Sequence, residues 1–468
     1  MNGDFFDLSE IVFTRRDDVV NPGTTIYNPA YSTVRTFKGD DYIIGSSSVN
    51  FGLGVSIEVA AQAIGQGSNP VNSVEFVTQA KLNVSGIINR GEIYTNRGND
   101  IIRGSAIAKV TAVAQTVTEA IAIANTYDAT AIANSLASVE IAAIATGINN
   151  SGKISTGAGS DLVIGEVEAS VAAVAIANID VTAIVTAIAQ TPMSEGLQAV
   201  AAGFATSLAQ AKVIARGIDN TCGEISTNSG ADKISAIATS YSATYAEAQV
   251  SAFVTAPPEN QALALVVFEA IAKTEDIAIA IDNYHGDIRT GFGADTIEAT
   301  ANASDIAIGI YNNYGYIRTG DGADTIEATA NASDNAIGIN NYHGDIHTGY
   351  GADTIEAYAT GSQSYGIYGG NISTGYGADT IKASSFGGGV NINMGYGIDY
   401  VEGFGDATVY GGEDFDTLSL GSYNRSDFNI LTINDYTIFE LGGTIMETSG
   451  FEKYIFADGD YSSHNLIA

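Results

Sequence analysis

Basic residues, cysteine, tryptophan and proline are all scarce in this chain, and each shortage excludes something. Nineteen Lys and Arg face 53 Asp and Glu, a formal charge of −34. Such a surface repels nucleic acid and anionic membrane and attracts cations. The single cysteine, Cys222, rules out an intrachain disulfide. No stretch reads as a transmembrane helix, because the longest Ala/Ile/Val runs alternate and are broken by Thr, Gln, Glu and Asp. Residues 1–20 hold no apolar run of signal-peptide length. Charged residues are nevertheless only 15% of the chain, so it is not an acidic disordered tail.

What is present is repetition. One phrase recurs as TGAGSD (156–161), TNSGAD (227–232), TGFGAD (290–295), TGDGAD (319–324), TGYGAD (348–353 and 374–379) and MGYGID (394–399). Weaker copies are FKGDD (37–41), TNRGND (95–100) and GGEDFD (411–416). A branched apolar residue stands two places after each Asp, as Ile297 does after Asp295. A second phrase with an Asn-and-Gly turn precedes the first, for example IINRGEI (87–93), INNSGKI (148–154) and IDNYHGDI (281–288). Two turns at fixed separation in every repeat mark a coil that stacks on its neighbours. Stacked coils put like residues about 4.8 Å apart, so the asparagines should form a hydrogen-bonded ladder.

The steps between motif aspartates, from Asp41 through 100, 161, 232, 295, 324, 353, 379, 399 and 416, are 59, 61, 71, 63, 29, 29, 26, 20 and 17. The coils are therefore wide in the N-terminal half and narrow toward the C-terminus. The fold class expected is an all-β parallel solenoid or β-roll whose long N-terminal coils taper to short C-terminal ones, with a few helical insertions. Its divisions are an N-terminal cap (1–36), a wide solenoid (37–290), a short-coil roll (291–416) and a C-terminal cap (417–468).

In the short coils Ile297, Ala299, Ala301 and Ala303 alternate with Thr296, Glu298, Thr300 and Asn302, which is strand periodicity over a thin alanine core. In the long coil 162–188 both alternating faces are apolar: Val163, Val167, Ala169, Val171, Ala173, Ala175 and Ala177 on one, Leu162, Ile164, Val174, Ile176, Ile184 and Ile188 on the other. Both faces call for cover. Candidate helices fall midway along the long coils, at 193–211 (capped by Ser194) and 257–272 (started by Pro257–Pro258), with weaker ones at 70–81 and 128–140. They are expected on the outer apolar face or plugging the slab's far edge. The alternative is that this face binds another copy.

Calcium takes six to eight oxygen ligands, carboxylate and carbonyl, on a backbone that turns sharply. Glycine at alternate positions permits such a turn, and Asp supplies the charged oxygen. Stacking lets one ion be clamped between adjacent turns. The expected metal residues are Asp161, Asp232, Gly291, Gly293, Asp295, Gly320, Gly322, Asp324, Gly349, Gly351, Asp353, Gly375, Gly377, Asp379, Gly395, Gly397, Asp399 and Asp416. Asp41 and Asp100 lie where the glycine pattern is degraded. The plain alternative is a set of Asx-type turns without metal.

These motifs resemble the repeats-in-toxin (haemolysin-type, glycine-rich nonapeptide) calcium-binding repeats, Gly-Gly-x-Gly-x-Asp-x-apolar-x. The first Gly is usually Thr here (Thr290, Thr319, Thr348, Thr374), and Gly412 keeps the double glycine. Family coils carry motifs on both sides whereas these carry one, which points to a single column of ions. After GGEDFDTLSL (411–420) come RSDFNI (425–430) and GFEKYIFADGDYS (450–462), similar to the C-terminal cap of proteins exported by type I secretion. The resemblance implies Ca2+ as the ligand, export to the cell surface or extracellular space, and calcium-driven folding outside.

Other readings are weaker. Glu298, Glu327 and Glu356 would stack as a like-charge ladder, solvated or holding a second row of cations. His285, His343 and His347 invite a transition-metal site, but Tyr314–Gly315 interrupt the column. Cys222 reads as a packed turn residue. One threonine column is too few for an ice-binding face. No Ser/His/Asp arrangement or nucleotide-binding glycine loop occurs, so no enzyme is expected. The function expected is a secreted structural solenoid that assembles with itself into a sheath, layer, fibril or adhesin. The alternative is a polysaccharide-active or carbohydrate-binding protein on the same scaffold.

Overall fold

The computed structural model describes residues 5–64, 70–124, 128–185, 198–256 and 261–466. The chain winds as a parallel β-solenoid. Each wide coil runs out along one sheet and back along the other. The outbound strands are Tyr42–Ile64, Ile101–Ala124, Leu162–Val185 and Lys233–Thr255; the return strands are Val71–Asn89, Ala129–Asn150, Gln198–Asp219 and Gln261–Asp282. Neighbouring coils pair in parallel and in unbroken outbound register, Val163 lying between Ile102 and Ile234. At roughly 3.3 Å per residue a 24-residue strand spans about 80 Å.

Side chains of alternate residues fill the space between the sheets. Ala106, Ala108, Ala112, Ala114, Ala173, Ala175 and Ala177 are fully buried there, opposite Ala131, Ala133, Ala143, Ala201 and Ala209. The residues pointing outward on Leu162–Val185, among them Leu162, Ile164, Val174, Ile176 and Ile184, are half-buried by their ladder neighbours. Ile188 lies outside the described residues.

No α-helix occurs among the described residues, so the expected helical insertions are corrected. Residues 198–211, 261–272, 71–81 and 129–140 are strand, and only two three-residue 3-10 turns are present, at Leu8–Glu10 and Arg425–Asp427. The starts 193–197 and 257–260, with Ser194, Pro257 and Pro258, lie outside the described residues. The physical reason is plain in register: Ala199, Ala201, Ala205, Ser207, Ala209, Ala211 and Val213 alternate inward, and every one is buried. Alanine's intrinsic preference for helix is smaller than the gain from backbone pairing with strands 63 and 70 residues away. Nothing therefore covers the outer faces among the described residues.

Beyond Thr239 and before Ile277 the last wide coil has no strand stacked on it, because the next coil is short and pairs only with 233–239 and 277–282. From there narrow coils carry the roll onward. Three of their rungs repeat the same residues, Ile297–Ile326–Ile355 and Ala299–Ala328–Ala357. One apolar column, Ile43, Ile102, Val163, Ile234, Ile297, Ile326, Ile355, Ile381, Val401 and Leu418, runs the length of the molecule and is fully buried throughout. These are the residues two places after each motif Asp.

The sheets pinch where glycine faces glycine. A Cβ added at Gly104 or Gly165 would overlap the carbonyl oxygen of Gly147 or Gly217. The pinch separates the alanine slab from a smaller lobe that contains both turn motifs. At the C-terminus the antiparallel hairpins Asn429–Ser449 and Lys453–Ser462 close the stack over Phe428, Phe439, Phe451, Tyr454 and Phe456. At the N-terminus, short strands from Phe5 to Arg35 cover the lobe end of the first wide coil.

Candidate metal centre

The Gly-x-Gly-x-Asp turns stack into one column. Asp41, Asp100, Asp161, Asp232, Asp295, Asp324, Asp353, Asp379, Asp399 and Asp416 are all buried, none more than 2% exposed. The backbone N–H of each donates to Oδ1 of the next, at 2.8–2.9 Å from Asp41 to Asp416. The ladder is closed at both ends by residues outside the motif: the Asp18 N–H donates to Asp41 and the Asp416 N–H to Glu452. Asp41 and Asp100 hold the same geometry as the others although their turns lack a glycine.

A second ladder runs beside it. Each motif threonine from Thr36 to Thr374 donates its hydroxyl to the carbonyl one coil further on, as Thr290 does to Thr319 at 3.0 Å and Thr319 to Thr348 at 3.1 Å. The threonine position is thus a buried rung, not a turn. The expected asparagine ladder is present on the opposite turn. Asn28, Asn89, Asn150, Asn220, Asn283, Asn312 and Asn341 are fully buried and joined amide to amide at 2.7–2.8 Å.

Glycine is favoured at the two turn positions for different reasons. The first, such as Gly291 or Gly320, has φ near +106°. Asn96 and Asn228 take this place in two coils with φ of +66° and +69°, the left-handed region that Asn tolerates. At the second, Gly293, Gly322, Gly351, Gly377 and Gly397, a Cβ would overlap the carbonyl oxygen of the equivalent glycine one coil back. These carbonyls thus point along the stack.

The chemistry of the column lies in what its carboxylates lack. Oδ2 of all ten motif aspartates is buried without a hydrogen-bond partner. The neighbouring Thr hydroxyl has one proton, and the carbonyl of the next coil takes it. A buried acceptor left unpaired costs roughly 1–3 kcal/mol, more when charged. Burial is the main cause that raises the affinity of these groups for protons, and the N–H of the preceding coil opposes it. Asp100 and Asp232 are pushed up to about 7, and Asp324, Asp379, Asp399 and Asp416 to about 6. Asp41, Asp161, Asp295 and Asp353 are raised for the same reason.

Each Oδ2 therefore calls for a proton or a cation. The donors offered are hard oxygens, one carboxylate per coil with glycine carbonyls nearby, which fits calcium rather than a soft metal. Among the described residues no group of three or more His, Cys, Asp or Glu side chains is placed to hold a metal ion by itself. An ion here would draw on carboxylates from adjacent coils and complete its shell with carbonyls and water.

The other sequence candidates separate in space. His285, Tyr314 and His343 stack ring on ring, with centroids 5.1 and 4.9 Å apart. His347 instead lies on an outward strand position beside Arg318 and Ser373. The glutamate ladder is bracketed by lysines, Lys233 on Glu298 at 2.7 Å and Lys382 on Glu356 at 2.9 Å. Tyr350, Tyr376 and Tyr396 stack at 4.9 and 4.8 Å at the tips of the aspartate turns. Their faces cover one another, leaving edges to solvent. Cys222 is exposed in the asparagine turn at φ +57°. An open groove beside that turn is lined by Arg90, Glu92, Lys153, Glu224, His285 and Asp287, and its Lys153–Glu224 pair is closed at 2.8 Å. No helix among the described residues is long and apolar enough to cross a membrane.

Comparison of the chain with family models, with curated proteins and with solved structures finds no match.

Proposed function

We propose that this protein is a calcium-stabilised structural β-solenoid that is exported and assembles with itself at the cell surface or in extracellular matrix. The observation that carries the reading is the file of ten buried aspartates, each with one carboxylate oxygen lacking a partner. At neutral pH such a file is self-repelling when ionised. A divalent cation between rungs removes that repulsion and completes the unpaired oxygens. An ion that binds only the folded chain stabilises it by mass action, by roughly 2.7 kcal/mol at a hundred times its dissociation constant. Folding would then be held back at low cytosolic calcium and released outside, as type I export requires. The absence of a disulfide fits a protein whose staple is ionic.

The test is circular dichroism and size-exclusion chromatography at pH 7.5, first in chelator and then with millimolar calcium. The expected result is β signal and a defined assembly only with calcium. A chain fully folded and monomeric in chelator would remove the ion from its structural role. The groove by Arg90 and Lys153 would then be screened against polysaccharides, the alternative function.

A further inference from the structure

The molecule caps its narrow parts and leaves its wide part open at both ends. At the N-terminal face the cap stacks on Tyr42, Ile43 and 87–89, and among the described residues no strand of a preceding coil lies beside 47–59 or 71–84. At the C-terminal face the roll covers 233–239 and 277–282, and among the described residues no strand of a following coil lies beside 240–255 or 261–276. Each face is thus a step about 13–16 residues long, with one outbound and one return strand presenting unpaired backbone. The core is open laterally there. Ala246, Ala248, Val250, Ala264 and Val266 are only partly buried, while their equivalents one coil back, Ala175, Ala177, Ile179 and Ala201, are shut. Phe268 points inward in register with buried Ala205 yet is 64% exposed through the gap.

Exposed edges are ordinarily blocked by proline, by inward-pointing charge or by a covering loop. None of the four segments contains proline, and their inward positions are uncharged apart from Asp276. Asp276 stands at the corner of the step, fully buried, where it accepts from the Ser242 N–H at 2.9 Å. In a chain of net charge −34, the stretch 240–255 carries one charged residue, Glu247, and 47–59 carries one, Glu58.

We infer that the two steps are complementary and that a second copy of this chain docks its N-terminal step on the C-terminal step of the first. A direct continuation of the stack is blocked, because the roll and the N-terminal cap occupy the same lobe side. Turning the second copy half a turn about the stacking axis swings its lobe clear. In a coil whose sheets run oppositely, this rotation exchanges the sheets and keeps strand sense. The outbound strand 47–59 then lies parallel to 261–276, and 71–84 parallel to 240–255. An overlap of about 13 residues is about 43 Å long, and across a slab of roughly 15 Å covers on the order of 650 Å² per partner, close to the ~800 Å² of a standard interface. Because the contact is head to tail, it propagates into a filament rather than closing as a dimer.

The inference rests on the assembly reading above and specifies its contact. The test uses full-length calcium-loaded Val250→Lys (C-terminal step) and Leu53→Lys (N-terminal step), both inward positions from which a lysine can reach solvent only while the edge is open. Sedimentation and negative-stain microscopy should show filaments for the natural chain and monomers for each variant. Their equimolar mixture should give a heterodimer that grows no further, since the two steps left free both carry the lysine. Melting by circular dichroism checks that each variant folds, with Ala248→Lys as the substitute if Val250→Lys does not. Filaments from either folded variant overturn the inference and leave calcium-dependent assembly standing. So does a Leu53→Lys protein that dimerises alone, which marks a symmetric contact. A natural chain that folds with calcium and stays monomeric at every concentration removes both readings.

Discussion

Raising the pH from 4 to 7 in the presence of a strong chelator should unfold this protein. The ladder aspartates titrate near 3.9 in the unfolded chain, and six of them at about 6 or 7 in the folded one. A folded-state value above the unfolded one means that the native chain holds protons the unfolded chain has released. The stabilisation is complete below about pH 4 and is lost as pH rises through 6 and 7. Each proton retained contributes a slope of about 1.4 kcal/mol per pH unit inside that window. If repulsion between adjacent rungs lets only two protons act independently, stability still falls by about 3 kcal/mol between pH 5 and 6, a large part of the ordinary 5–15 kcal/mol total. Urea denaturation followed by circular dichroism at half-unit intervals reads the slope directly. With calcium present the sign reverses between pH 5 and 7.5, because the ion binds the ionised carboxylates and must displace their protons. A chelated protein whose stability is flat or rises over pH 4–7 would refute the assignment of buried, unpartnered carboxylates, whatever calcium does.

Four substitutions probe the ladders. Asp324→Asn keeps an acceptor for the Asp295 N–H, now at 2.9 Å, and removes one charge; in chelator the pH at which the chain unfolds should rise, and in calcium at pH 7.5 the urea midpoint should fall by the equivalent of about 1–3 kcal/mol. An unchanged midpoint in calcium would show that no ion uses that rung. Gly322→Ala puts a methyl group into the carbonyl of Gly293 at φ +153° and should cost about 3 kcal/mol or more by forcing adjacent coils apart; limited proteolysis should find the cut in the roll, and an unchanged melting curve would contradict the close stacking. Asn312→Leu strands the amide of Asn283 and the carbonyl of Asn341, with an expected loss of about 2–4 kcal/mol, whereas Asn331→Leu on the exposed face should change the melting temperature little.

Much of the coil was legible because its signals are local. The phrase TGxGAD places a turn, a buried rung and the first core residue within eight positions. The same residue two places after every Asp, from Ile43 to Leu418, occupies the central column. Asn at the second turn predicted the amide ladder. The wide coils were read less well. QAVAAGFATSLAQA and QALALVVFEAIA suit a helix by composition and a strand by alternation, and nothing within either segment decides between them. The decision comes from partners 63 and 70 residues away.

The sequence by itself determined the stacking period, the register of the ladders, the taper from 59–71-residue coils to coils of 17–29, and the identity of the ten column aspartates, because each repeats a motif that imposes one backbone conformation. Only the tertiary structure decided that the alanine-rich segments are strands, that glycines such as Gly104 and Gly147 pinch the sheets together, and that each Oδ2 is without a donor. It also decided that the last wide coil overhangs the roll to leave an open step. These features depend on which groups from neighbouring coils reach, or fail to reach, a given atom. That is a property of the stack and of no single repeat.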